Sequence, residues 1–85
     1  MRTEYEILKD FEALNYKINE YSPEDVIWLD KETRNYVIRI ETDKFNLSYC
    51  KFEINKQSRL EYPVVITKEE HILLHELFEL WGWVK

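Results

Sequence analysis

The chain has 85 residues, 45% of them hydrophobic and 15% aromatic; that size makes one domain, 1–85, with one modest core and no need of staples. A formal net charge of -5 argues against non-specific binding to nucleic acid, which needs basic surface, and a single cysteine, Cys50, excludes an internal disulfide. The opening residues carry no apolar signal region and no apolar run reaches the length of a membrane span, so a cytoplasmic protein with no membrane contact is expected.

The first element is a helix over 4–14. Thr3 with Glu6 three residues on makes a capping box, the reciprocal pairing that satisfies orphan N–H groups at a helix start. Ile7, Leu8, Phe11 and Leu14 then form one apolar stripe at helical spacing, opposite Glu4, Glu6, Lys9, Asp10 and Glu12. Asn15 is a left-handed stop. The 16–21 segment alternates weakly, as a short edge strand does, until Pro23 breaks it.

Val26, Ile27, Trp28 and Leu29 read as a buried strand, with Trp28 in the core. A polar connection over 30–35 leads to a strand over 36–41, with Tyr36, Ile38 and Ile40 on one side and Arg39 and Glu41 on the other. The 45–54 stretch is a strand with a phase problem. Phe45, Leu47 and Tyr49 share one parity, whereas Phe52 and Ile54 share the other. A bulge near Cys50 and Lys51 would reconcile them, with Cys50 buried as a small hydrophobe. Residues 60–66 are extended, and Pro63 restricts them to an edge or a connection.

Thr67 and Glu70 form a second capping box. In the helix that follows, Leu73, Leu77, Leu80, Trp81 and Val84 gather on one side, and Lys68, His71, His75, Glu79 and Gly82 on the other. Gly82 ends it. The expected fold is α+β: an N-terminal helix, a three- to four-stranded antiparallel sheet and a C-terminal helix. One apolar stripe per helix packs both on one sheet face.

Few residue constellations carry chemistry. His71, His75 and Glu79 lie one turn apart, a spacing that could hold zinc, yet the order is not that of a metalloprotease and no fourth ligand is near in sequence. A solvated helix face accounts for them equally, and no cofactor is expected. Cys50 with a histidine is the sole nucleophile–base pairing to weigh, and Gly82, the single glycine, leaves no phosphate loop; no enzymatic activity is expected. The acidic residues of both helices, among them Glu6, Asp10 and Glu76, are either a binding surface for a basic partner or solubilising charge. Trp83 is either a lid on the core or an anchor at an interface. The aromatic content exceeds what a small sheet hides; half-buried tyrosines or a partner surface, a homodimer included, would account for it.

The tail, with Ile66, Thr67, Glu70, His71, Leu73, Leu74, Glu76, Leu77, Phe78 and then Trp81, Gly82 and Trp83, resembles that of small uncharacterised proteins of phages and prophages of Gram-positive bacteria. Phe11, Glu12, Ala13, Leu14, Tyr16 and Lys17 are similar to theirs as well, with Asn15 standing where glycine is expected. The resemblance implies an accessory phage protein acting inside the bacterium. No catalytic residue comes with it. The expected function is non-enzymatic binding, with inhibition as one outcome, of a host or phage protein through an acidic or aromatic surface. The alternatives are a metal-binding domain built on His71 and His75 and a nucleic-acid module built on sheet aromatics.

Overall fold

The computed structural model describes residues 2–82. The elements run α1 (Glu4–Ala13), β1 (Lys17–Ile18), β2 (Val26–Glu32), β3 (Tyr36–Asp43), β4 (Ser48–Asn55), β5 (Glu61–Pro63) and α2 (Lys68–Leu80). The strands form one antiparallel sheet in sequence order, β1-β2-β3-β4-β5. The α+β architecture is therefore as expected, with one strand more than the upper estimate.

Local chemistry sets the helix ends. Both capping boxes form: the Thr3 hydroxyl accepts from the Glu6 N–H, and Thr67 does the same for Glu70. Asn15 adopts φ 71°. Its N–H donates to the Glu12 carbonyl at 2.9 Å and the Tyr16 N–H to the Phe11 carbonyl at 3.1 Å, the paired bonds of a Schellman motif. The motif also brings its hydrophobic contact, since the Tyr16 ring stands edge-on to Phe11 with centroids 6.0 Å apart. Tyr16 is thus the end of α1 and not the start of a strand, which is why the expected 16–21 strand shrinks to two residues. Gly82, just after α2, adopts φ 96°, in the same left-handed region, where a side chain would be strained.

Both helices cover one face of the sheet. Ile7, Leu8 and Phe11 of α1 and Leu73, Leu74 and Leu77 of α2 close over Leu29 and Ile40, with Leu14, Ile27, Ile38, Ile66, Leu80 and Trp81 packed around them. Burying each large side chain contributes roughly 1.5–3 kcal/mol. Trp81 joins this core from its rim, as its place in the stripe predicts.

The sheet corrects three expectations. No bulge interrupts β4, whose register with β3 is continuous from Tyr36↔Asn55 to Asp43↔Ser48. The phase problem vanishes because Phe45 and Leu47 belong to the turn before β4: Leu47 takes φ 53°, and the Asp43 carboxylate accepts from the N–H groups of Phe45 and Asn46, both at 2.9 Å. Cys50 then points to the opposite side from Lys51 and is exposed, not buried. Trp28 pairs with Glu41 on that same outer side and is half-buried rather than core. In its place Leu29 and Ile27 face the helices. Pro63 sits on the edge strand β5, where its missing N–H costs no ladder bond.

Candidate interaction surface

The residues singled out from sequence fall on three separate surfaces. The first is the seam between α1 and α2. Arg2 lies there with its guanidinium on the carboxylates of Asp10, at 2.5 Å, and Glu76, at 3.1 Å from Nε. These carboxylates hold the Arg2 pKa above its ordinary range, Asp10 most strongly. Glu6 spends its carboxylate on the Thr3 backbone N–H at 3.0 Å, which holds its own pKa below the ordinary value. Asp10 of α1 and Glu76 of α2 are thus brought together with Arg2 between them, while Glu6 is tied to the α1 cap. They are interspersed charge, not a bare acidic patch.

The second surface is a groove of about 400 Å³ between α2 and the start of β4, lined by Leu47, Tyr49, His71, Leu74, His75 and Phe78. His75 Nε2 lies 3.0 Å from Glu79 Oε1. Among the described residues no group of three or more His, Cys, Asp or Glu side chains is arranged to hold a metal ion. His71, His75 and Glu79 share one face of α2, and among the described residues no Cys, His, Asp or Glu of another element completes a metal-ligand set with them. The Trp81 ring packs on Phe78, centroids 6.0 Å apart. Its indole N–H donates to Glu4 at 2.9 Å, and Lys44 reaches the same carboxylate at 3.1 Å. Trp83, expected either as a lid on the core or as an anchor at an interface, and Val84, expected in the stripe, lie outside the described residues.

The third is the sheet face that neither helix covers. Strand registers place its side chains in rows: Trp28, Glu41 and Cys50; then Lys17, Asp30, Arg39, Phe52 and Pro63; then Glu32, Val37, Ile54 and Glu61. On β2 and β3 the polar groups are tied together. Arg39 grips Asp30 with a two-pronged contact, 2.7 Å from Nε and 3.0 Å from Nη2. The same guanidinium lies over the Trp28 ring, 4.2 Å from its centroid, a cation–π contact. Trp28 in turn donates its indole N–H to Glu41 at 3.0 Å. Along β4 and β5 the face changes to Cys50, Phe52, Ile54 and Pro63. An open groove of about 660 Å³ runs between these halves, with Glu41 and Glu61 in its wall.

The sheet also separates the one nucleophile from the bases. Cys50 is on the uncovered face, whereas His71 and His75 ride on α2 over the opposite face. Partial desolvation by its neighbours, with Glu41 and Glu61 adding to it, pushes the thiol of exposed Cys50 up, away from the thiolate a nucleophile needs.

Sequence reasoning missed a buried polar triad on the covered face. Lys51 Nζ lies 2.7 Å from Glu70 Oε1, the Tyr16 hydroxyl donates to Glu70 Oε2 at 2.5 Å, and the Thr67 N–H donates to Oε1 at 3.0 Å. Lys51 Nζ also donates to the Val65 carbonyl at 3.1 Å. Tyr16 and Glu70 are almost wholly buried, at 1% and 2% exposure. Burial of Glu70 acts to raise its pKa, but the bonds from Lys51, Thr67 and Tyr16 outweigh it and hold the carboxyl below its usual value. Burial, then the bond to Glu70, drives the Tyr16 hydroxyl far above its usual value. One signal was present: the apparent break in the β4 alternation falls at Lys51, and read without a bulge it puts a lysine inside.

Comparison with known proteins finds no match: no family model fits the chain, and no curated protein and no solved structure is significantly similar to it.

Proposed function

We propose that the chain is a non-enzymatic binding protein whose partner is another protein. The observation that carries this reading is the uncovered sheet face. Two helices protect one side of a five-stranded sheet, while on the other side no element of the described residues covers Cys50 and Pro63, which are exposed, or Phe52 and Ile54, which are half-buried. A sheet with a half-apolar face open to solvent is a natural contact surface. The separation of Cys50 from both histidines supports a binding role over nucleophilic catalysis.

Within this reading the helix carboxylates Glu6, Asp10 and Glu76 are a secondary candidate, because Arg2 and the Thr3 cap already engage them. The resemblance of the tail to phage and prophage proteins supports a setting inside a Gram-positive bacterium, with a host or phage protein as the target. Inhibition of that target is the consequence if the occupied site is a working one.

The test is capture with two variants. Tagged protein expressed in a Gram-positive host is expected to hold one partner near stoichiometrically. Phe52→Glu should lose that partner, and Asp10→Lys should keep it. Loss in Asp10→Lys with retention in Phe52→Glu would move the working surface to the helices. Equal retention in both would remove these two surfaces from the account.

A further inference from the structure

We infer that the uncovered sheet face docks a basic amphipathic polypeptide segment, one whose apolar side chains are flanked by lysines or arginines. The inference rests on the binding reading above and adds the chemistry of the partner. Its ground is the charge around the apolar strip. The rows of this face, with Asp43 beyond Glu41 on β3, carry five carboxylates, Asp30, Glu32, Glu41, Asp43 and Glu61, against two cations, Lys17 and Arg39.

Four of the five carboxylates are engaged within the chain, Glu41 only by the neutral indole N–H of Trp28 at 3.0 Å. Asp30 is gripped by Arg39, Glu32 is 3.0 Å from Lys56, and Asp43 holds the turn before β4. Glu41 and Glu61 are left without an ion-pair contact to a cation among the described residues. They stand on either side of the strip formed by Cys50 and Phe52, Glu41 on β3 and Glu61 on β5. Both act on Arg39 at longer range, but its fork is already taken by Asp30. Cationic side chains of a segment laid along Cys50, Phe52 and Ile54 would meet Glu41 beside Cys50 at one end and Glu61 beside Ile54 at the other, with the Phe52 ring between them.

The same charges disfavour the other occupants. A second copy of this chain would bring the same five carboxylates, on a protein of net charge -5, so like charges would meet across the interface. Nucleic acid would set its phosphates against Glu41 and Glu61. One side of the Trp28 ring, the natural stacking platform, already carries Arg39.

The experiment uses a short synthetic helix-forming peptide of repeated Lys-Leu-Leu-Lys units, a second with every lysine replaced by glutamate, and a single-stranded oligonucleotide. Each is titrated into isotope-labelled protein at low salt while backbone amide shifts are followed. The lysine peptide should move the amides of Arg39, Cys50, Phe52 and Ile54. The double variant Glu41→Gln with Glu61→Lys should weaken that binding at least about tenfold, on the order of 1.4 kcal/mol. Gln at position 41 still accepts from the Trp28 indole, so the sheet should keep its fold, checked by circular dichroism. Glu69→Lys on α2 should leave the affinity unchanged.

Shifts confined to α1 and α2, or an unchanged affinity in the double variant, overturn the inference. Binding of the glutamate peptide at the same amides with equal affinity overturns the charge argument while leaving the face as a contact surface. Binding of the oligonucleotide there replaces the partner class. If neither peptide moves the outer-face amides the inference fails, and capture with Phe52→Glu still decides the broader reading.

Discussion

The two faces of the sheet use ionic groups in opposite ways. On the helix-covered face, Lys51, Glu70 and Tyr16 are sealed in and each bond serves the fold: the same carboxylate that caps α2 through Thr67 also ties α2 to β4 and to the end of α1. On the bare face, Arg39, Asp30, Trp28 and Glu41 are tied together at half-burial beside an apolar strip that no helix among the described residues covers. Buried ions are costly to desolvate and are retained only with excellent partners. The covered triad meets that condition, and no buried side-chain polar atom among the described residues lacks a hydrogen bond. The bare face needs no such sealing, which leaves its side chains available to a partner.

Substitutions should separate the faces by size of effect. The largest is expected at Lys51→Ala, which strands Glu70 as an uncompensated buried carboxylate; unfolding should become about 3–5 kcal/mol easier by urea denaturation. A double variant, Lys51→Met with Glu70→Gln, should recover part of that loss. A cost below about 1 kcal/mol for Lys51→Ala would show that water reaches the pair.

The triad also sets pH limits. The folded pKa of Glu70 is lowered, so its contribution is present above the ordinary carboxylate pKa and is lost as pH falls through the lower folded value. The folded pKa of Tyr16 is raised, so its contribution is present below the ordinary phenol pKa and declines as pH rises beyond about 10. Thermal melts across pH should therefore fall off at both ends. Tyr16→Phe should remove the alkaline arm at a cost of about 1–3 kcal/mol near neutrality. An alkaline arm unchanged in that variant would place its cause elsewhere.

Smaller effects are expected at the caps. Thr67→Ala and Thr3→Ala should each lower stability by about 1 kcal/mol. Thr67 should cost the more, because its Glu70 partner is shared with Lys51, whereas Glu6 is exposed. Equal losses would uncouple the α2 cap from the triad. The smallest effect is expected at Arg2→Ala: its ion pairs with Asp10 and Glu76 are solvent-screened, so the midpoint of urea denaturation should shift less than for either cap variant, and the shift should shrink with added salt as that of Lys51→Ala does not.

Much of the covered face was legible in the sequence. The 3.6-residue stripes of Ile7, Leu8 and Phe11 and of Leu73 and Leu77, together with two Thr-x-x-Glu caps, report local rules that tertiary structure had no cause to override. The bare face was legible only on β3, where alternation set Arg39 and Glu41 opposite Ile38 and Ile40; its β2 and β4 residues were misplaced. Its residues alternate with core residues along the same strands, so Trp28 reads as core until the partner register shows Leu29 facing Ile40. Cys50 reads as buried for the same reason. The shift came from four turn residues before β4, where Leu47 adopts a conformation that its side chain does not advertise. The triad stayed hidden because its members lie 16, 51 and 70 along the chain, and no periodicity links them.

The account rests on one face being a sealed core and the other an open surface. The most direct measurement is the unfolding free energy of Ile40→Ala beside that of Phe52→Ala, two residues on adjacent strands whose side chains lie on opposite faces of the sheet. Ile40, fully buried, should lose about 2–5 kcal/mol on truncation, and Phe52 should lose about 1 kcal/mol or less, because little around it is emptied. Equal losses at the two positions would mean that Phe52 is packed as tightly as Ile40, and the open face would be a second core.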